Sequence, residues 1–302
     1  MNSIDYISPI VTLISAPLLF GIITRVKSIF AGRCGAPLLQ PYYDLFKLFR
    51  KGAVYSRTTS WIFRASPIIG LTCMIIALSI LPQIGNRSFF SFDGDLFLLV
   101  YVLGVMRFFM IIAAIDTGSA FEGMGASREA FFSMLAEPVL LVALVCLVKF
   151  TGNLTLADAF TNATGQWSIA TLLIGVAIFI VLLAENARIP VDDPNTHLEL
   201  TMIHEAMVLD HSGPEFGWIM YSSAVKLWLF SAIFVQVVMP VHIENTLLRY
   251  PVIFLSIFLC AIIVGIVESI MARLRLNKVP QLLAGAGAFS LLAFLFAARG
   301  GV

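Results

Sequence analysis

Charge is scarce in this chain. Lys, Arg, Asp and Glu make up 12% of the 302 residues against 59% hydrophobic residues, and the mean hydropathy is +0.95. A soluble globular domain carries about 25% charged residues, so a soluble enzyme of this length is excluded. Cysteine is sparse as well. Cys34, Cys73, Cys146 and Cys260 stand singly with no Cys-x-x-Cys pair, which predicts neither a disulfide framework nor an iron–sulfur site in the chain. Internal repeats, low-complexity tracts and linkers are lacking, so residues 1–302 read as a single membrane domain. No basic flank precedes the first apolar run, only Asp5, so that run does not read as a cleaved signal peptide.

What the chain has is long apolar runs. A spanning helix needs roughly 20 apolar residues. Eight runs meet that length, at about 5–24, 62–84, 95–115, 130–150, 167–185, 217–240, 250–270 and 280–298. The expected fold is an all-α integral membrane protein of eight tilted transmembrane helices with little mass outside the bilayer. The first loop carries Arg25, Lys27, Arg33, Lys47, Arg50, Lys51 and Arg57, and the seventh Arg273, Arg275 and Lys278. The positive-inside rule therefore places both termini outside and the polar loops 1, 3, 5 and 7 in the cytoplasm.

The segment 185–199 packs Glu185, Arg188, Asp192, Asp193 and Glu199 with two prolines directly after an apolar run. An ionised group at the centre of a spanning helix costs roughly 3 kcal/mol, so such a knot at a membrane boundary points to function. Ile189-Pro190 and Asp193-Pro194 impose extended or turn geometry on the residue before each proline. Asp193 as N-cap with Pro194 at the first helical position predicts a helix from there to about Leu209. His197, His204 and His211 recur every seven residues. Neighbours so spaced lie ~10 Å apart along a helix, whereas one zinc takes ligands at i, i+3 or i+4, so no metal site is expected.

Loop 1 holds a Gly/Pro-punctuated turn, Arg33 to Pro41, and a short amphipathic helix over 42–51 whose aromatic side suits the interface, with Lys47, Arg50 and Lys51 in reach of lipid phosphate. In loop 3 the run Asp116 to Glu129 has three glycines that predict tight turns, with Ser127 or that turn capping the next helix. Arg128 and Glu129 enter this helix, and Glu137 lies two turns deeper on nearly the same face. Pro138 then frees a backbone carbonyl one turn earlier. Arg107, Lys226 and Glu268 are further ionisable groups placed in or at the ends of spans. Glu137 and Glu185 have no basic residue at i±4, although Arg188 stands at i+3 from Glu185.

Glu185-x-x-Arg188-x-Pro190-x-Asp192 followed by Leu198-Glu199-Leu200 resembles the signature loop of subunit 1 of respiratory complex I. Arg33-x-Gly-x-Pro37-x-x-Gln40-Pro41-x-x-Asp44-x-x-Lys47-Leu48 resembles that family's first cytoplasmic loop, and Ser127-Arg128 followed by Glu137 its fourth span. Asp116-Thr-Gly-Ser-x-Phe and Gly125 to Glu129 are similar to the membrane subunit of formate hydrogenlyase and related energy-converting [NiFe] hydrogenases. The chain departs from the family at Val191, usually Phe, and at Asn195 and His197, where the family's alternating acids leave only Glu199 here.

The resemblance implies a bacterial or archaeal cytoplasmic-membrane subunit that seats a cytoplasmic redox arm and couples its electron transfer to proton or sodium translocation. Loops 1, 3 and 5, through Arg33, Gln40, Asp44, Lys47, Asp116 and Glu122, would meet a cluster-bearing small subunit and a large catalytic subunit. Glu137, Glu185, Asp192, Glu199, Arg128 and Glu129 would form a polar path toward antiporter-like membrane partners, with Arg188 biasing which acid stays ionised. The chain itself is expected to bind no cofactor or metal. Iron–sulfur clusters, with or without nickel–iron, would lie in partner subunits, and no nucleic-acid partner is expected. A quinone-site subunit of complex I is the alternative within the family. A free-standing secondary transporter is the alternative outside it, although such proteins show inverted repeats and paired broken helices that this sequence lacks.

Overall fold

The computed structural model describes residues 3–82, 88–163, 168–192, 202–239 and 246–299. Ten α-helices follow one another in that part of the chain, and no strand occurs among the described residues. They are α1 (Ser3–Phe30), α2 (Gln40–Phe49), α3 (Trp61–Ile80), α4 (Asp95–Asp116), α5 (Ala120–Thr151), α6 (Leu156–Ala163), α7 (Ile169–Glu185), α8 (Gly213–Val238), α9 (Thr246–Ile270) and α10 (Val279–Arg299). Seven of them are long and apolar enough to cross a membrane, and α7 is a shorter apolar helix of 17 residues. With α7, at the lower end of the spanning range, the count is the eight expected from the apolar runs.

Burial shows which way the bundle faces. Ile14, Ile68, Tyr101, Phe108, Leu255 and Leu295 are all more than half exposed. A water-facing surface would not carry that much scattered large apolar area, whereas lipid accepts it. α8 is the central helix, packed against α1, α2, α3, α7 and α9. Trp228 on α8 is 1% exposed and meets Phe254 and Phe258 of α9 with ring centroids 5.2 and 5.8 Å apart. α10 closes the bundle by packing between α5 and α7, and α3 pairs with α4.

Local signals explain two helix starts. Ser60 caps α3 by accepting from the Ile62 N–H at 3.2 Å. Ser168 and Thr171 exchange hydrogen bonds in a capping box at the start of α7. Pro17 inside α1 has no N–H, so the Leu13 carbonyl loses its helical donor. The Tyr221 hydroxyl of α8 donates to that oxygen at 2.9 Å, and the Tyr42 hydroxyl of α2 to the adjacent Ile14 carbonyl.

Two expectations are corrected, and one helix is new. Gly118 makes the expected turn at a φ of +71°, but Gly123 and Gly125 are helical, because α5 starts at Ala120 with Ser119 at its N-cap position rather than at Ser127. Gly125 sits there to allow close packing. A Cβ on it would stand 2.9 Å from both the Ala206 Cβ and the Ile203 carbonyl oxygen. The helix expected from Asp193 lies outside the described residues over 193–201. Over 202–209 the chain forms one 3-10 turn, Glu205–Val208, instead of an α-helix. α6 was not expected at all. It starts where Thr155 and Asp158 bond each other at 2.8 Å, and it docks on α4 through the Leu156 N–H, which donates to Asp95 at 2.8 Å.

Candidate functional site

The polar residues of several elements meet where α7 ends. α7 terminates in a Schellman turn: the Arg188 N–H donates to the Leu183 carbonyl at 2.9 Å and the Ala187 N–H to Ala184 at 3.2 Å. This turn puts Ala187 at a φ of +49°, a left-handed conformation that glycine adopts freely and alanine does not. Ala187→Gly should therefore stabilise the protein by about 0.5–1 kcal/mol, after the entropy glycine loses on folding is set against the relieved strain. A raised thermal unfolding midpoint in detergent would show it, and a lowered one would contradict it.

The turn also separates Glu185 from Arg188, its expected partner. Arg188 points to α9, where its guanidinium lies 3.4 Å from Glu268 and 4.7 Å from the centre of the Phe20 ring on α1. Lys27 of α1 binds the other Glu268 oxygen at 2.9 Å. Glu185 instead pairs with Arg107 of α4 at 2.5 Å and with Lys226 of α8 at 2.9 Å. Arg107 is the hub. It is 7% exposed and also binds Glu137, with Glu129 further off at 3.5 Å, both on α5. Glu129, Glu137 and Glu185 thus surround Arg107 and Lys226, three carboxylates to two cations.

Of the residues expected to form a polar path, Glu129, Glu137 and Glu185 meet here, and the bundle adds Arg107, Lys226, Lys27 and Glu268. The first two of these are visible in the sequence as charges inside spans. Their pairing is not, because only the packing of α4, α5, α7 and α8 supplies it. The cluster is not sealed all round, since the Glu137 side chain is 37% exposed at the α4–α5 face while that of Glu185 is 5% exposed.

Between the two ionic groups lies a cavity of about 280 Å³, with Glu185 and Lys226 in one part of its wall and Lys27, Arg188 and Glu268 in another. His204 lines it too, and its imidazole is pushed down to about 4 by burial, with the Lys226 cation adding to the effect. Asp192 also borders the cavity, but both its oxygens are engaged. One accepts from the Ile203 and His204 N–H groups at 3.1 and 3.2 Å, the other faces Arg273 at 3.2 Å. Its role is to tie the start of loop 5 to the 3-10 turn and to the segment after α9. Arg128 does similar work, donating to the Met202 carbonyl at 3.1 Å. Glu199 lies outside the described residues.

The expected docking residues divide in two. Arg33 and Lys47 are exposed, and Gln40 donates to Asp44 at 2.9 Å within α2. Asp116, half-buried, makes a contact within the chain, and Glu122 is corrected to an internal role. Asp116 accepts from the Ser60 N–H at 2.6 Å, joining α4 to the start of α3. Glu122 is fully buried and accepts from the Asp210 N–H at 2.9 Å, so it cannot itself touch a partner.

His211 occupies the same end of the bundle. Its ring lies flat on Phe63, centroids 3.8 Å apart and 6° from parallel, with Glu215 facing it at 3.6 Å. Burial pushes it down to about 4. A histidine so depressed stabilises the fold above its unfolded-state pKa near 6.5, and the stabilisation is lost as pH falls through that value toward 4, because the unfolded chain binds the proton first. At pH 5 the loss is about 2 kcal/mol from this residue. His211→Phe should flatten the dependence of the unfolding midpoint between pH 7 and pH 5. An unchanged slope would remove His211 from the account.

An eight-span bundle with an ionic hub between its helices defines a polytopic membrane protein with a charged interior. The chain belongs to the NADH dehydrogenase family, whose model matches residues 4–298. It is 30% identical over 290 residues to formate hydrogenlyase subunit 4 of Escherichia coli (strain K12), covering 93% of each chain. To hydrogenase-4 component C of the same organism it is 28% identical over 278 residues, covering 88% of this chain and 86% of that one. The fold is also that of a chain in the structure of the membrane-bound sulfane sulfur reductase, an archaeal respiratory membrane complex, with a TM-score of 0.83, 22% identity, and 97% and 98% of the two chains covered. The resemblance to the complex I subunit 1 family, and to its hydrogenase-side members in particular, is borne out.

Proposed function

We propose that this chain is the membrane-anchoring, energy-coupling subunit of a hydrogenase-type complex in a bacterial or archaeal cytoplasmic membrane. In this reading it seats a redox arm on loops 1, 3 and 5 and links electron transfer there to proton or sodium translocation. The observation that carries the proposal is the Arg107 hub, with three carboxylates held by two cations between helices. Buried charge of this kind is costly and is retained where it handles ions. The excess carboxylate is where a proton can be taken up and released, and the cavity beside Glu185 gives access from the loops. Iron–sulfur clusters and any nickel–iron centre would belong to the partner subunits. Glu137, opening on the α4–α5 face, marks where an antiporter-like membrane subunit would cover the bundle, because a carboxylate left against lipid is unfavourable.

Purification of the tagged chain from its native membranes tests this. The expected result is a stable complex with cluster-bearing soluble subunits and further membrane subunits, identified by mass spectrometry. A chain that runs alone as a monomer or dimer and transports a solute would overturn it. The cavity supports a second reading within the family, a quinone-site subunit, since its volume and its Phe20, Met106 and Phe216 lining suit a flat ring. Quinone retained in the purified complex, with quinone reductase activity, would favour that version.

A further inference from the structure

Both sides of α2 are apolar, and only one has a partner. Leu45 is buried. Phe49 meets Trp218 of α8 edge-on, centroids 4.8 Å apart, and Gly217 leaves room for it, since a Cβ there would stand 3.2 Å from the Phe49 ring. On the other side Leu39, Tyr43 and Phe46 are 51%, 60% and 64% exposed. Their spacing of i, i+4 and i+7 makes one continuous stripe along the helix and its lead-in.

A cationic edge runs beside that stripe. Lys47, Arg50 and Lys51 are exposed, and the Arg50 guanidinium lies 5.5 Å from the centre of the Phe46 ring. Asp44 is the sole acid between residues 6 and 92, and Gln40 already holds it. None of the ion pairs among the described residues involves Lys47, Arg50 or Lys51. An aromatic stripe bordered by three cations that make no ion pair among the described residues matches a molecule with hydrocarbon chains and a negative headgroup.

We infer that α2 is a selective site for an anionic phospholipid, with acyl chains on Leu39, Tyr43 and Phe46 and the headgroup phosphate between Lys47, Arg50 and Lys51. The lipid wedges α2 onto α1 and α8, and so holds the loop 1 surface in place. The site does not depend on which redox chemistry the complex performs.

The test uses the purified complex, delipidated in detergent and titrated with phosphatidylglycerol or phosphatidylcholine, with retained lipid counted by native mass spectrometry. Wild type should retain phosphatidylglycerol with about tenfold preference. The triple variant Lys47→Gln, Arg50→Gln, Lys51→Gln should retain the two lipids equally, and each single variant should show an intermediate preference. The substitutions lie on exposed positions, and an unfolding midpoint matching wild type in phosphatidylcholine confirms an intact fold. Equal retention of both lipids by wild type overturns the proposal. So does an undiminished preference in the triple variant, including the case where that variant loses a soluble subunit instead, which would make the edge a protein contact.

Discussion

Arg107→Leu should destabilise the protein by about 3–5 kcal/mol, since it removes one partner of a buried ionic group and leaves the carboxylates facing one another. That is a large share of the 5–15 kcal/mol that holds a typical domain folded. The expected readout is a sharply lowered unfolding midpoint, with little complex recovered from membranes. Adding Glu137→Gln and Glu185→Gln to the leucine variant should restore part of the loss, because the three acids then become one, with Lys226 beside it. A triple variant no more stable than Arg107→Leu would mean that Arg107 acts by packing alone. The coupling between these sites is measurable as a mutant cycle, since they are in direct contact.

Glu185→Gln should have the opposite profile. It leaves two acids with two cations, and the glutamine carbonyl can still accept from Lys226, which loses its 2.9 Å ion pair, so the complex should assemble. What it removes is the carboxylate at the cavity wall that both cations hold, the group the proposed function needs. Ion translocation coupled to turnover should fall at least tenfold, with subunit composition unchanged, and Glu137→Gln should behave alike from the α4–α5 side. Translocation at wild-type levels in both variants would reduce the two acids to structural pairing.

The spans were legible because runs of about twenty apolar residues have few alternatives to a transmembrane helix. The acids were legible because ionisable groups are rare in such runs. What could not be read was who pairs with whom. Arg188 is three residues from Glu185, yet the left-handed Ala187 turns it toward Glu268 on α9, a partner 80 residues away. Arg107 reaches Glu185 across 78 residues, a contact no local pattern signals. Gly123 and Gly125 read as a turn because glycine usually marks one. Helix α5 runs through them, and the gap at Gly125 is filled by the 3-10 turn around Ala206. The Thr155–Asp158 cap is a readable signal for α6, but that helix is too short to stand out among long apolar runs.

Seventeen residues give α7 a length of about 26 Å, against a hydrocarbon layer of about 30 Å. α5, α8 and α10 pack against it, so part of the shortfall is met by protein, while Ile169, Leu172 and Val176 are left to face lipid. If α7 starts at the far boundary, Glu185 stops just short of the near one, with the cavity filling the difference. In electrical terms the loop-side water then ends at Glu185. Under the proposed function, a proton arriving there would have crossed little of the membrane voltage, with most of the roughly 2.3 kcal/mol per charge at 100 mV still ahead of it. The mechanical work of pumping would then fall beyond this carboxylate, along Arg107 and Glu137, and in whatever subunit receives the charge from them.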